Sequence, residues 1–128
     1  MTRTILIVDD HAGFRRSARA LLDADGFEVV GEAADGRTAL AEIARLRPEL
    51  VLLDIQLPDI DGFAVAEALA AGAPIAGGDD IAAVPGPTVI LISSRARTSY
   101  GPQLDGARVA GFITKGHLTG AAIRALTG

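Results

Sequence analysis

Several side chains capable of chemistry follow short apolar runs in this 128-residue sequence. They are three acids, two hydroxyls and one amine: Asp9, Asp10, Asp54, Ser93, Ser94 and Lys115. Carboxylates that converge repel one another, and this repulsion would raise the pKa of at least one of them unless a positive charge lies nearby. A hard dication such as Mg2+ prefers oxygen ligands, commonly one or two carboxylates with waters and phosphate oxygens. The sequence therefore predicts a magnesium site at Asp9, Asp10 and Asp54, with Lys115 balancing the remaining charge.

The same residues fit a phosphoryl acceptor. A carboxylate can attack phosphorus to form an aspartyl phosphate, and phosphoryl transfer needs mainly positioning and charge stabilisation. Asp54 would be the acceptor, with Lys115 as the cation and Ser93 as the hydroxyl donor. Taken singly, each residue has an ordinary interpretation: the Asp pair caps a helix, the serines belong to turns and the lysine is solvated. Their shared position after apolar runs is what favours one common site.

The elements that would position these residues alternate along the chain. Five continuous apolar runs predict strands, at residues 5–8, 27–30, 50–53, 89–92 and 109–113. Runs without polar alternation are typical of a parallel sheet covered on both faces. Helical spacing occurs between them, as in Phe14, Ala18, Leu21 and Leu22. The alternation predicts a doubly wound α/β fold, a five-stranded parallel sheet flanked by helices on both faces, whose site lies beyond the carboxyl ends of the strands.

Composition narrows the function classes. The length predicts one domain, residues 1–128. The absence of cysteine excludes disulfide frameworks and thiolate metal sites and favours a cytoplasmic location. A net charge of -4 with 4% aromatic residues opposes direct nucleic-acid contact, and every apolar stretch is shorter than the ~18 residues of a membrane span.

Two segments depart from the regular alternation. A Gly/Ala/Pro-rich insertion is expected at about 72–87, with one helical turn at 79–83, and a short or frayed helix is expected at 98–107.

The sequence resembles, over essentially its whole length, the receiver domain of two-component response regulators. The resemblance is carried by ILIVDDH at 5–11, VVGEAADGRTAL at 29–40, PELVLLDIQLPDIDGF at 48–63, VILISS at 89–94 and GFITK at 111–115. It implies a flavodoxin-like, CheY-like fold with no effector domain in this chain. The motif style is similar to that of LuxR-type regulators with a helix-turn-helix domain, which implies a role in transcription regulation.

The resemblance also implies roles for individual residues. Asp54 is expected to accept a phosphoryl group from the phosphohistidine of a sensor histidine kinase. Asp9 and Asp10 are expected to hold Mg2+ together with Asp54, and the backbone carbonyl of Gln56 would be a further ligand. Lys115 would pair with the phosphoryl oxygens.

A switch is implied as well. Ser93 would move inward to hydrogen-bond the phosphoryl group, and Phe112 would follow it from an outward to an inward rotamer. The changed surface would control a transcriptional output, and a homodimer through the first and last helices is expected. By contrast, His11 is interpreted as a polar residue at a helix start, His117 as a cap of the last helix and Tyr100 as a surface aromatic.

Two other functions fit parts of the sequence. A Mg2+-dependent phosphohydrolase of the haloacid dehalogenase type would need a second acid two residues after its nucleophile, but position 56 is Gln. A stand-alone or phosphorylation-independent receiver that acts by protein–protein interaction would not need the complete set of acids, hydroxyl and lysine. The expectation is therefore a signalling module that catalyses only its own phosphorylation and dephosphorylation, and no enzyme of external substrates.

Overall fold

The computed structural model describes residues 2–71 and 86–128. The helical turn expected at 79–83, and nearly all of the expected insertion, lie outside the described residues.

The described strands form one parallel sheet in the order β2-β1-β3-β4-β5. They are β1 Thr4–Val8, β2 Glu28–Ala33, β3 Leu50–Asp54, β4 Thr88–Ser93 and β5 Gly111–Thr114. This confirms the predicted doubly wound α/β architecture. Because β1 and β3 are adjacent and β4 follows β3, the carboxyl ends of three consecutive strands meet at one edge.

Helices cover both faces of the sheet. They are α1 Ala12–Ala24, α2 Gly36–Leu46, α3 Gly62–Ala70, α4 Pro102–Gly106 and α5 Gly120–Thr127, with short 3-10 turns at Arg97–Ser99 and Lys115–His117. Alternate side chains of β1 point to opposite faces. Ile5 and Ile7 belong to a hydrophobic cluster with α1 and α5, whereas Leu6 and Val8 belong to a second cluster with α2, α3 and α4. In the parts of the chain that the structure describes, no helix is long and apolar enough to cross a membrane.

The second strand is longer than the sequence predicts. The expected strand ends before Gly31, but β2 continues through Gly31 to Ala33, and Gly31 pairs with Leu6 after a register shift. A Cβ at Gly31 would lie 2.8 Å from Leu46 Cδ1. Glycine inside a strand is typical of such a close approach, so Gly31 marks helix packing and not the end of the strand. The fifth strand begins two residues later than predicted, at Gly111.

The helix before β5 is short, as predicted. The segment that holds it consists of the turn Arg97–Ser99 and the five-residue helix α4, and Leu104 is the only buried residue of that helix. Gly101 separates the two with φ 47°, a left-handed conformation that glycine adopts at low cost.

Candidate functional site

Three buried polar side chains mark the carboxyl edge of the sheet. Among the described residues, Asp9, Asp54 and Ser93 are the buried polar or charged ones, with 0%, 2% and 0% exposure. Asp9 directly follows β1, and Asp54 and Ser93 are the last residues of β3 and β4. Burying such groups is costly unless they are paired. Their concentration at adjacent strand ends therefore points to a functional site.

Asp9 is held by one backbone N–H and by two cationic side chains. Its Oδ1 accepts a hydrogen bond from His11 N at 2.8 Å, and its own carbonyl oxygen accepts one from Arg15 Nη1 at 2.6 Å. Its Oδ2 lies 2.6 Å from Lys115 Nζ, a close ion pair. Among the described residues, Asp9 Oδ2 has no partner other than this ammonium. Asp9 Oδ2 thus keeps a lone pair for another cation.

Asp54 lies in the middle of the site. Its Oδ1 accepts a hydrogen bond from Gln56 N at 3.0 Å, and Lys115 Nζ donates to its Oδ2 at 3.3 Å. Burial raises the pKa of Asp54; the Gln56 N–H opposes this, the Asp9 charge adds to it, and Lys115 opposes it without cancelling it. The pKa of Asp54 is therefore raised first by burial, and the repulsion between converging acids that the sequence suggests is a smaller cause. The ionised form would gain from a further positive charge.

Lys115 supplies the ammonium that both acids share. It is the only lysine in a sequence whose other eleven basic residues are arginine, and its side chain is 15% exposed. Burial lowers the pKa of Lys115, but the neighbouring carboxylates of Asp9 and Asp54 outweigh this and raise it above its ordinary value. The ammonium of lysine is a compact point charge, whereas the guanidinium of arginine is a wide planar group. Lys115 therefore stays protonated beside Asp54.

The acids fit a bound divalent cation. Ligand atoms of Asp9, Asp10, His11 and Asp54 all lie within 4.8 Å of one another. The three carboxylates, among them that of Asp9 whose Oδ2 only Lys115 contacts in the described part of the chain, form the oxygen-rich surroundings that Mg2+ favours. The residues present therefore suit such an ion. The role of the Gln56 carbonyl as a ligand stays a prediction.

The alternative in which the Asp pair caps a helix is wrong. The N-cap of α1 is His11, and its side chain makes no capping hydrogen bond. The imidazole Nδ1 instead lies 3.0 Å from Asp10 Oδ1 and 3.2 Å from Asp9 Oδ1. His11 thus begins the helix, as predicted, with its ring facing the acids.

The predicted hydroxyl has a partner that the sequence interpretation missed. Ser93 Oγ and Tyr100 Oη are 2.5 Å apart, and Ser93 Oγ also accepts a hydrogen bond from Arg95 N at 3.0 Å. The half-buried Tyr100 ring packs against Phe63 and Phe112, with centroid distances of 5.8 and 6.0 Å. The interpretation of Tyr100 as a surface aromatic is therefore wrong. Two features of the sequence could have indicated this contact: Tyr100 is the only tyrosine of the chain, and it follows Ser93 by seven residues.

The cap predicted for the last helix is also wrong. Thr119 is the N-cap of α5, and its hydroxyl accepts a hydrogen bond from Ala122 N at 3.0 Å. His117 belongs to the preceding turn, where its Nδ1 lies 2.6 Å from Thr114 Oγ1. The chain enters α5 two residues later than the histidine interpretation requires.

The fold and this cluster define a signalling receiver. The family described as "Response regulator receiver domain" matches residues 5–126. The chain therefore belongs to the response regulator receiver domain family of two-component systems, which confirms the resemblance.

Relatives and solved structures agree with this membership. The chain is 40% identical over 97 residues to a protein-glutamate methylesterase/protein-glutamine glutaminase of Anaeromyxobacter dehalogenans; the match covers 75% of this chain and only 24% of that protein. A signal receiver domain assigned to the response regulator NarL of Mycobacterium tuberculosis is 30% identical, with a TM-score of 0.78 and coverage of 99% and 98%. The response regulator domain of Thermotoga maritima CheB is 25% identical, with a TM-score of 0.68 and coverage of 99% and 90%.

Proposed function

We propose that Asp54 is the phosphoacceptor of this receiver domain and that a sensor histidine kinase is its phosphoryl donor. The observation that carries the proposal is the buried Asp54 carboxylate at the end of β3, 3.3 Å from the only lysine and next to two further acids. A structural ion pair would not need three acids and an ammonium at one edge of the sheet. The raised pKa of Asp54, caused first by burial, is typical of residues at functional sites.

Each residue of the site would have its own role in phosphoryl transfer. An Asp54 carboxylate oxygen attacks the phosphorus of a phosphohistidine, so that one P–O bond forms as the P–N bond breaks and the imidazole leaves. Gln56 N holds the other oxygen, and the Lys115 ammonium stabilises charge on the phosphoryl oxygens. Mg2+, held by Asp9, Asp10, Asp54 and the Gln56 carbonyl, would neutralise charge on the phosphoryl group when bound.

The output of the module would be a changed surface. Ser93 would turn toward the phosphoryl group, and Phe112 on β5 would follow it. The similarity to a "Putative transcriptional regulator" of Pseudomonas aeruginosa, 48% identical over 61 residues, supports a transcriptional output. This output would be delivered without direct DNA contact or catalysis on external substrates by this chain. That residues 1–128 form one receiver domain, and that the protein is cytoplasmic, stay predictions.

The experiment is phosphorylation of the purified chain by acetyl phosphate with Mg2+, followed by intact mass. Wild type should gain one phosphoryl group, Asp54→Asn should gain none, and Asp23→Asn, which changes an exposed acid of α1, should behave as wild type. Selective [15N]lysine labelling gives a single amide signal, at Lys115, that should shift when beryllofluoride binds. An undiminished mass gain in Asp54→Asn contradicts the assignment, and no gain in wild type favours a phosphorylation-independent receiver.

The homodimer through α1 and α5 is a separate proposal. Leu126 on α5 is the exposed large hydrophobic side chain of the described residues, with 36% exposure. Sedimentation equilibrium should show self-association of wild type that weakens in Leu126→Glu, and equal masses of the two at high concentration would contradict it.

A further inference from the structure

The hydroxyl of Ser93 is engaged by the segment that follows β4 and, within the described ranges, forms no hydrogen bond with the acids. Its hydrogen-bond partners are Arg95 N and Tyr100 Oη, both in the segment that follows β4. Among the described residues, no hydrogen bond joins Ser93 to Asp54 or Lys115. A serine side chain occupies one staggered rotamer at a time. A rotation that carries Oγ toward Asp54 therefore gives up its contact with Tyr100.

We propose that Tyr100 is a latch: a positioning residue whose hydroxyl holds Ser93 away from Asp54 and, through the same bond, holds the segment Arg97–Gly106 in its resting arrangement. The proposal rests on the proposed function, because it takes the phosphoryl group on Asp54 as the competitor for the Ser93 hydroxyl. The Ser93 hydroxyl can then bind either the phosphoryl group on Asp54 or the Tyr100 hydroxyl, but not both. The phosphoryl signal would reach the surface through one hydrogen bond.

The segment has few other anchors. None of the residues Arg97–Ser99 is buried, and Leu104 is the only buried residue of the five-residue α4. A helix this short has little stability of its own and depends on tertiary contacts. Tyr100 lies between the turn and α4, and its ring joins Phe63 of α3 to Phe112 of β5. Loss of its hydroxyl contact therefore acts on a segment with little buried surface to stabilise it.

The aromatic contacts give the latch a direct connection to Phe112. The Tyr100 and Phe112 rings lie 6.0 Å apart at 59°, so a displacement of Tyr100 changes the space available to Phe112. The rotamer change expected for Phe112 would thus follow from the release of Tyr100 and needs no separate signal. This also explains why a tyrosine, with both a ring and a hydroxyl, suits position 100.

The first part of the test uses the unphosphorylated chain. Tyr100→Phe keeps the ring and removes the hydroxyl, so hydrogen exchange of amides in Arg97–Gly106 should become roughly 2- to 12-fold faster, the range that one neutral hydrogen bond supports. Ser93→Ala should give the same increase from the other end, and the double variant should add nothing further. Ser99→Ala, which removes an exposed hydroxyl from the same segment, is the matched control and should leave exchange unchanged. Unchanged exchange in Tyr100→Phe overturns the latch.

The second part adds Mg2+ and beryllofluoride, with the Lys115 amide signal as the report of binding. Exchange of the segment in wild type should rise to the level of Tyr100→Phe, and the single [15N]tyrosine signal, at Tyr100, should shift. If the Lys115 signal moves while exchange of the segment does not rise, the latch is overturned and the proposed function stands. If the Lys115 signal never moves in wild type, the proposed function fails, and with it the competition for Ser93.

Discussion

The Lys115 ammonium lies 2.6 Å from Asp9 Oδ2 and 3.3 Å from Asp54 Oδ2, and is therefore closer to Asp9 than to the proposed acceptor. A dication held by Asp9 would share that oxygen with Lys115 or displace the ammonium from it. Like charges at this separation repel. The resting position of Lys115 is thus a competitor of the metal as well as a partner of the phosphoryl group.

We expect Lys115→Met to bind Mg2+ about tenfold more tightly than wild type while accepting phosphoryl groups more slowly. Two unit charges ~4 Å apart near a protein surface interact by up to about 4 kcal/mol, and solvent screening leaves a part of this. A Mg2+ titration followed by NMR, together with the mass assay, measures both effects. Arg16→Met removes an exposed cation and should change neither. Weaker Mg2+ binding by Lys115→Met would show that the ammonium supports the metal site.

The loop after β3 should confer acid sensitivity through Asp59. Its carboxylate accepts hydrogen bonds from Gly36 N at 2.8 Å and Arg37 N at 2.9 Å, at the start of α2. The bond from Gly36 is the main cause that lowers the pKa of Asp59 from 3.8 to about 2. A depressed carboxyl pKa stabilises the fold above the unfolded-state value, and this contribution is lost as the pH falls through the folded-state value.

The stability that Asp59 contributes should therefore be complete above about pH 4 and should disappear toward about pH 2. Asp59→Asn should be less stable than wild type in urea at neutral pH, with a difference that shrinks across this window. Asp23→Asn should show no such convergence, because among the described residues its carboxylate accepts no hydrogen bond. A pH-independent difference for Asp59→Asn would mean that shape, and not charge, matters at this position.

Gly62 allows α3 to begin directly against the acceptor strand. A Cβ at this position would lie 2.4 Å from Asp54 O and 2.8 Å from Ile55 Cα, both backbone atoms. Gly62→Ala should therefore lower the free energy of unfolding by about 1–3 kcal/mol and slow phosphorylation by displacing the Asp54 backbone. Gly13→Ala in α1, where nothing lies within 4 Å, should instead be neutral or stabilising by up to about 1 kcal/mol. Urea unfolding of the Gly62→Ala and Gly13→Ala variants measures both effects, and equal changes in stability would refute the close approach at Gly62.

The stability of α5 should depend on Thr119, its N-cap, more than on His117. Thr119→Ala removes the N-cap hydrogen bond to Ala122 and should cost about 0.5–2 kcal/mol of stability. His117→Ala removes an exposed contact with Thr114 and should cost less. If thermal unfolding ranks the two variants in the opposite order, the histidine interpretation of this cap would regain support.

Continuous apolar runs made most of the fold predictable. Strand β1 ends with its apolar run, and β3 and β4 each end one residue beyond theirs, at the buried polar residues Asp54 and Ser93. Gly31 misled the assignment of β2, because glycine is common both at strand ends and where a neighbouring helix packs closely. The site residues Asp9, Asp54 and Lys115 could be expected at one edge for the same topological reason.

Tyr100 could not be placed from its sequence surroundings. Its contacts with Ser93, Phe63 and Phe112 join three separate elements across a turn and a glycine at positive φ, and no periodic pattern encodes them. His117 failed for a related reason: the 3-10 turn Lys115–His117 moves the start of α5 to Gly120, so the capping position falls on Thr119. Short irregular segments set these positions, and they are least determined by local preference.

The two hydrophobic clusters on opposite faces of the sheet divide the molecule by purpose. Within the described ranges 2–71 and 86–128, Tyr100 and Phe112 pack against the cluster shared by α2, α3 and α4, and neither packs against the cluster beneath α1 and α5. Rearrangement of the aromatic pair thus breaks no packing contact with the opposite layer. A protein bound along α1 and α5 could stay attached through a complete cycle of modification and hydrolysis, while contacts on the far side come and go.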